Sequence, residues 1–135
     1  MKINGGCHCG AIAYEADLDP EKVGICHCTD CQALSASAFR TLAIVSGDKF
    51  AITKGVPTKY IKTGDSGNRR VQAFCSNCGS ALYASDVGEN PKQYNIRAGT
   101  IVQRYDLTPK FEVWLHSALP WVSENPLTKK FDKNP

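Results

Sequence analysis

The seven cysteines of this 135-residue chain fall into three short clusters, and they constrain its fold more than any other feature. The clusters read C-H-C-G, C-H-C-T-D-C and F-C-S-N-C-G, and contain Cys7 and Cys9, then Cys26, Cys28 and Cys31, then Cys75 and Cys78. A structural zinc ion takes four protein ligands, whereas a catalytic one takes three and leaves a position for water or substrate. Four ligands plus three account for every cysteine, which indicates one closed metal site and one open one.

Charge and length exclude several classes of function. Lys and Arg number 16 against 13 Asp and Glu, an excess too small to indicate a nucleic-acid partner. No apolar run approaches the length of a membrane span, and the first residues lack the apolar stretch of a secretory signal. We therefore expect a cytoplasmic, reducing location, where clustered cysteines bind metal more often than they form disulfides. The length predicts one domain over residues 1–135, with a tail from about residue 120.

Alternation of apolar and polar residues with a period of two predicts a mainly β fold of short antiparallel strands. The alternation is clearest over residues 50–52, 94–98 and 111–115, and further strands are predicted at 11–15, 39–45, 58–62, 69–74 and 80–84. Residues 29–38 are predicted to form at most two helical turns, with Thr29 or Asp30 as the N-cap. Together with the cysteines, this pattern predicts a small β domain held together by metal.

The first and third clusters together supply a four-thiolate site, the outer quartet (Cys7, Cys9, Cys75 and Cys78). The two cysteines of the third cluster can reach one metal from a tight turn, which Gly79 completes at positive φ. In extended chain, residues two positions apart point to the same side, so the first cluster can offer a second pair. Because structural zinc contributes on the order of 10 kcal/mol to folding, we expect this site to be necessary for the fold.

The second cluster, the middle trio (Cys26, Cys28 and Cys31), lies within six residues, so one metal can collect all three sulfurs locally. The fourth coordination position would stay open. A zinc ion held by three thiolates is a weak Lewis acid, but it leaves a bound substrate thiolate electron-rich and nucleophilic. The middle trio therefore favours sulfur chemistry over peptide hydrolysis. The nearby candidates for proton transfer are His27 and Asp30, and on one predicted strand face Glu112 and His116, beside Trp114 as a pocket wall.

Several alternatives remain open on the residues alone. Thiolate quartets also hold iron–sulfur clusters, although these spacings differ from the common ferredoxin patterns. Cys7 can be assigned to the middle trio instead of the outer quartet. The chain can also be a non-enzymatic zinc module used for structure or interaction, or a zinc-ribbon nucleic-acid binder, for which its scattered positive charges are a poor match.

The order of the three clusters resembles that of the glutathione-dependent formaldehyde-activating enzyme and centromere protein V family. The matching segments are residues 6–10, 26–31 and 74–79, with weaker matches at 96–100 and Trp121. The resemblance covers nearly the whole chain, about residues 3–125. One segment departs from the family, because residues 32–37 (Q-A-L-S-A-S) lack the basic residue that commonly follows the middle cluster. If this segment lines the pocket, the missing charge argues against an anionic tripeptide substrate.

The resemblance implies a β-tent fold with two zinc ions per chain. The outer quartet would bind the structural zinc, and the middle trio would bind the catalytic one. The implied reaction is the reversible condensation of formaldehyde with glutathione to S-hydroxymethylglutathione, which is a carbon–sulfur lyase activity. The expected partners are therefore a small thiol and a small electrophile, with neither nucleic acid nor membrane involved.

Overall fold

The computed structural model describes residues 1–135 and consists mainly of short strands. In chain order these are β1 (Lys2–Gly6), β2 (Ala13–Asp17), β3 (Val23–Cys26), β4 (Arg40–Ser46), β5 (Phe50–Lys54), β6 (Thr58–Thr63), β7 (Arg69–Phe74), β8 (Ala81–Asp86), β9 (Gln93–Arg97), β10 (Phe111–Val113) and β11 (Lys129–Lys130). There is one α-helix, α1 (Thr29–Ser35), and there are five 3-10 turns, at Pro20–Lys22, Gly47–Lys49, Ala98–Thr100, Arg104–Asp106 and Leu115–Ser117. None of these helices combines the length and the apolar character of a membrane span. The predicted mainly β fold with one short helix is confirmed.

The strands form two sheets. The smaller sheet has the order β1-β2-β5, and the larger has eight strands in the order β11-β10-β3-β4-β9-β8-β7-β6. All paired strands are antiparallel except that β10 runs parallel to both β3 and β11. Because β10 lies beside β3, the segment that follows it is brought next to the middle trio.

One face of the large sheet packs with the small sheet to form the main core. Ala43, Val45 and Ile96 from β4 and β9 meet Ile3 and Tyr14 from the small sheet, and all five are at most 3% exposed. Removing a Val or Ile side chain from water stabilises the fold by about 1.5–3 kcal/mol. The period of two read from the sequence is therefore the alternation between this core and the opposite face.

The opposite face of the large sheet, the polar face, carries buried arginines beside a small apolar cluster that includes Leu42 and Val113. Cys26 in β3 lies directly across from Arg40 in β4, and Leu42 lies across from Arg97 in β9. Side chains two positions apart in a strand point to the same side, so Arg40 and Leu42 share this face. The register thus places one member of the middle trio beside Arg40, and Arg97 on the same face one strand further away, across from Leu42.

The predicted strand over residues 111–115 ends early. β10 stops at Val113, because Trp114 adopts a left-handed conformation with φ 59°. Its backbone N–H then donates to the carbonyl of Lys133, and the N–H of His116 donates to the carbonyl of Asp132. Glu112 and His116 therefore do not share a strand face, and that part of the prediction is wrong.

Two other segments also differ from the prediction. The helix ends at Ser35 and not at residue 38, because Ala36 adopts the left-handed conformation (φ 50°) and caps α1 with its backbone N–H. The segment predicted as a tail from about residue 120 contains β11. Just after this strand, the Phe131 N–H donates a hydrogen bond to the Glu112 carbonyl (2.9 Å). The end of the chain is therefore part of the large sheet.

Candidate metal centres

Two tight turns, one after β1 and one between β7 and β8, bring the outer quartet together. The Gly10 N–H donates to the Cys7 carbonyl (3.2 Å), and the Gly79 N–H donates to the Cys75 carbonyl (2.7 Å). Both glycines have positive φ, 81° at Gly10 and 79° at Gly79, a conformation that disfavours residues with a Cβ. The sequence pattern placed the first pair of cysteines in extended chain. The structure shows instead that this pair lies in a turn.

The sulfur atoms of the outer quartet are spaced as a tetrahedral zinc ion requires. The Sγ atoms of Cys7 and Cys9 lie 3.6 Å apart, and those of Cys9 and Cys75 lie 3.8 Å apart. All four sulfur atoms are within 4.8 Å of one another. Zn–S bonds of about 2.3 Å at tetrahedral angles give S–S distances of about 3.8 Å. The four cysteines therefore fit a closed, four-coordinate metal site.

Hydrogen bonds favour the thiolate form of two members of the quartet, Cys7 and Cys78. The Ser80 hydroxyl and backbone N–H groups lower the pKa of Cys78 to about 5. Burial raises the pKa of Cys7, but the backbone N–H of Ile12 and the neighbouring thiols outweigh burial and lower that pKa overall. Since the thiolate is the form that binds metal, these contacts prepare the site for a cation.

The middle trio occupies the junction between β3 and α1. Cys26 is the last residue of β3, Cys28 is the N-cap of α1, and Cys31 lies in the first turn of the helix. The Cys28 Sγ accepts a hydrogen bond from the Cys31 N–H (3.3 Å), which satisfies one of the free amide groups at the start of the helix. The predicted N-caps, Thr29 and Asp30, are therefore wrong, since both lie inside α1.

Negative charge within the trio concentrates on Cys28. Hydrogen bonds from the thiols of Cys26 and Cys31 lower the pKa of Cys28 to about 2. The hydrogen bonds to Cys28 and Cys31, reinforced by burial, raise the pKa of Cys26. Lys62 also lowers the pKa of Cys28, and its ammonium group lies 2.8 Å from the Asp30 carboxylate. These contacts favour the thiolate form of Cys28, and a divalent ion would bind with release of the protons that remain on the trio.

No fourth ligand from the chain completes the trio. Its three sulfur atoms lie within 4.8 Å of one another, and no other Cys, His, Asp or Glu joins this group. Cys7, the alternative fourth member, lies instead with the outer quartet. A tetrahedral ion held by the trio would thus keep one position for an external ligand.

His27 lies between two members of the trio but is held by other contacts. Its Nε2 is 2.8 Å from Oε1 of Glu112, and the two side chains are 1% and 3% exposed. The His27 carbonyl accepts hydrogen bonds from Gln32 Nε2 (2.9 Å) and Ser117 Oγ (3.0 Å). These contacts make His27 an anchor for the trio and give no support to its suggested role in proton transfer.

The contact with Glu112 extends the anchor to the C-terminal segment. Thr128 Oγ1 donates to Oε2 of Glu112 (2.5 Å), and Lys130 Nζ lies 3.8 Å from the same oxygen. Burial raises the pKa of Glu112, but the hydrogen bonds from Thr128 and His27 outweigh burial and lower it overall. Sequence reasoning missed Thr128, because no motif marks a residue so far from the cysteine clusters.

The middle trio lines a cavity of about 370 Å³ on the polar face. Trp114 is one of its walls, and four basic side chains line it: Arg40, Lys62, Arg70 and Arg97. Sequence analysis missed these four, because they lie on separate strands. The positive charge that residues 32–37 lack is therefore supplied to this cavity from elsewhere in the chain.

These features define a small β protein with two groups of cysteines that can each hold a metal ion. Over residues 2–117 the chain matches the family model described as glutathione-dependent formaldehyde-activating enzyme. The chain belongs to this family, and the matched range includes all seven cysteines. The resemblance drawn from the cluster order is thereby confirmed.

Known proteins similar to this chain include a curated protein and a solved structure. An uncharacterized lyase of Schizosaccharomyces pombe is 32% identical over 91 residues, which make up 67% of this chain and 63% of that protein. The aligned part is thus less than two thirds of the length of that relative. This chain is also similar to a crystal structure of a Rhodobacter sphaeroides protein, with a TM-score of 0.56 and 18% sequence identity. The match covers 95% of this chain and 98% of that one. The first likeness is to a lyase, and the second shows the fold.

Proposed function

We propose that this chain is a zinc-dependent carbon–sulfur lyase that adds a small thiol such as glutathione to formaldehyde or a related electrophile, or catalyses the reverse reaction. One observation carries the proposal: three cysteines with no fourth ligand from the chain line a cavity of about 370 Å³. Membership of the formaldehyde-activating family and the likeness to a lyase support the reaction class.

The two cysteine groups have different assigned roles. The middle trio would hold a catalytic zinc ion and the outer quartet a structural one, so that each chain binds two. When bound at the trio, zinc would lower the pKa of a substrate thiol and keep that sulfur nucleophilic. The thiolate set itself favours a soft, tetrahedral ion such as zinc.

One side of the cavity is apolar. Leu42, Phe111 and Val113 form this side, which limits the access of water to the reacting groups.

The proposed reaction balances without any other reactant. In the forward direction, a bond forms between the thiol sulfur and the carbonyl carbon. The carbon–oxygen double bond becomes single, and the thiol proton ends on the new hydroxyl group. No atom is oxidised or reduced by an external agent, so the reaction requires no redox partner.

The state of the cysteines also indicates the compartment in which we propose that the chain acts. None of the seven cysteines is joined in a disulfide, which suits a reducing compartment such as the cytoplasm. We take residues 1–135 to act as one domain whose partners are small molecules and not nucleic acid.

The proposal is tested by following ¹³C-formaldehyde and glutathione by NMR exchange spectroscopy at equilibrium. Because the two react slowly without a catalyst, the measured quantity is the exchange rate above that of the blank. We expect a rate proportional to the concentration of protein, and a return to the blank rate after zinc is removed by a chelator. Protein that holds two zinc ions and gives no acceleration with any small thiol or aldehyde would instead be a non-enzymatic zinc module.

A further inference from the structure

Two buried arginines on the polar face converge on a single neutral acceptor. Arg40 Nη1 donates to Gln72 Oε1 (3.1 Å), and Arg97 Nη2 donates to the same oxygen (2.9 Å). Arg40 is 5% exposed and Arg97 is 8% exposed. Both residues line the cavity that contains the middle trio.

These two arginines lack the carboxylate partners that buried cations normally have. No Asp or Glu oxygen lies within 4.0 Å of either guanidinium, whereas the other two basic groups of the cavity are paired, Lys62 with Asp30 and Arg70 with Asp86 (2.8 Å each). Three buried nitrogen atoms, Nε and Nη2 of Arg40 and Nε of Arg97, have no hydrogen-bond partner. Burial, and then the charge of Arg40, lower the pKa of Arg97 to about 9.

The fold sets the spacing between this pair and the trio. Cys26 pairs with Arg40 across β3 and β4, and Arg97 lies one strand further along, on β9. Since neighbouring strands are about 4.8 Å apart, the arginines stand about 5 and 10 Å from the strand that ends in the trio. A molecule of a few bonds in length can therefore reach both places within the same cavity.

We propose that Arg40 and Arg97, braced by Gln72, form a carboxylate-binding subsite of this cavity. The inference rests on the proposed function only in placing the reacting end of the substrate at the trio. A guanidinium group matches a carboxylate with two parallel hydrogen bonds, and the interaction is strongest where water is excluded. The reactants are then selected for a carboxylate a few bonds from the reacting sulfur or carbonyl carbon.

The carboxylate can be carried by either reactant, and matched substrates separate the two cases. In the first arm, formaldehyde is offered with 3-mercaptopropionate or with its uncharged analogue 3-mercaptopropanol. In the second arm, 2-mercaptoethanol is offered with glyoxylate or with formaldehyde. A preference for the acid in the first arm places the carboxylate on the thiol, and a preference in the second places it on the electrophile.

The variant Arg97→Gln and its matched control Arg70→Gln test the subsite. Both changes remove one positive charge from the same cavity, but Arg70 already has a carboxylate partner. Loss of a charge-assisted hydrogen bond weakens binding about tenfold or more. We expect Arg97→Gln to raise KM for the preferred acid by at least about that factor, and to change KM for the neutral analogue by less than about twofold. Arg70→Gln should raise KM for the acid by much less than Arg97→Gln does, because the Arg70 guanidinium is already paired with Asp86.

A second variant keeps the test valid if Arg97→Gln fails to fold. Gln72→Glu places a carboxylate of nearly the same shape between the two guanidinium groups. It should occupy the subsite from within, raise the melting temperature because a buried charge gains its partner, and abolish the preference for acids.

A binding measurement separates this inference from the proposed function. Propionate is titrated into the zinc-loaded protein and its variants, with 1-propanol as the neutral control, and chemical shifts are followed by NMR. Propionate binding that is lost in Arg97→Gln and in Gln72→Glu supports the subsite even if no lyase activity is found. Equal propionate binding by all three proteins, or by none of them, would overturn it. The inference would also be overturned if Arg97→Gln lost zinc from the trio and still bound propionate in preference to 1-propanol. The arginines would then serve only to offset the negative charge of the thiolates.

Discussion

The outer quartet and the middle trio use the same side chain for different purposes. The quartet joins turns that follow β1 and β7, and two of its members, Cys7 and Cys75, belong to the main hydrophobic core. The trio is collected within six residues and opens into a cavity. A metal that ties distant parts of the chain together supports the fold, whereas one bound by a local loop is free to meet a substrate.

Removing a quartet ligand should have the largest effect. In Cys75→Ser a buried sulfur ligand that faces the core is lost, and with it the closed metal site. Since structural zinc contributes on the order of 10 kcal/mol and domains are stable by about 5–15 kcal/mol, we expect the variant to be unfolded. Circular dichroism and thermal melting check this outcome. A cooperative transition near that of the parent protein would show that the quartet is not needed for folding.

Removing a trio ligand should abolish activity while the fold remains. We expect Cys28→Ser to bind one metal ion fewer and to lose the lyase activity, because two thiolates cannot hold the ion tightly. Its melting temperature should stay within a few degrees of the parent value, since the main core lies on the other side of the sheet. Elemental analysis and melting measure the two effects, with Cys75→Ser as the comparison. If both variants unfold alike, the division into structural and open sites is wrong.

Neutralising the anchor behind the trio should have an intermediate effect. Glu112→Gln weakens a buried contact with His27 and Thr128, at a cost of about 1–3 kcal/mol, and should weaken metal binding at the trio but not at the quartet. Because the folded-state pKa of Glu112 lies below its ordinary value of 4.5, its charge stabilises the fold above that pH, and the contribution is lost as the pH falls through the folded-state pKa.

Urea titrations of Glu112→Gln between pH 7 and pH 3 measure this contribution. The exposed Glu124 provides the control, because Glu124→Gln should leave stability unchanged at every pH. The anchor would be disproved if the stability difference between Glu112→Gln and the parent did not shrink in acid.

Changing one turn of the quartet should give the smallest effect. No atom lies within 4 Å of the position that a Cβ would take at Gly79 or at Gly99, but only Gly79 has a positive φ. Backbone strain alone should therefore lower the free energy of unfolding of Gly79→Ala by about 1–2 kcal/mol, and that of Gly99→Ala by much less. Equal values for the two variants would show that the left-handed turn is not a source of strain.

Much of this arrangement could be predicted from local sequence. Cysteine spacing indicated the trio and the two pairs of the quartet, because ligands close in sequence are close in space, and the ligand count of a closed zinc site joined the two pairs. Period-two alternation indicated the strands that border the core. The strands β1 and β3 were missed because neither has the alternation of apolar and polar residues that marked the other strands. The first contains two glycines and the second has four residues, all buried, so neither shows an alternation.

The features that could not be predicted depend on strand register and on contacts between residues far apart in sequence. Arg40, Gln72 and Arg97 lie on three different strands, and only the pairing of the large sheet brings them together. Thr128 reaches Glu112 because the C-terminal segment forms β11 beside β10. The left-handed conformation of Trp114, which ended a predicted strand, likewise depends on hydrogen bonds to that segment.

The difference between the two cysteine groups is tested most directly by replacing the bound metal with cobalt and titrating with a small thiol. The optical spectrum of cobalt reports its ligands. We predict two metal ions per chain and a thiol-dependent spectral change equivalent to one of them, which is absent in Cys28→Ser. Two cobalt ions whose spectra are both unaffected by saturating thiol would mean that the trio has no open position, and would contradict the account.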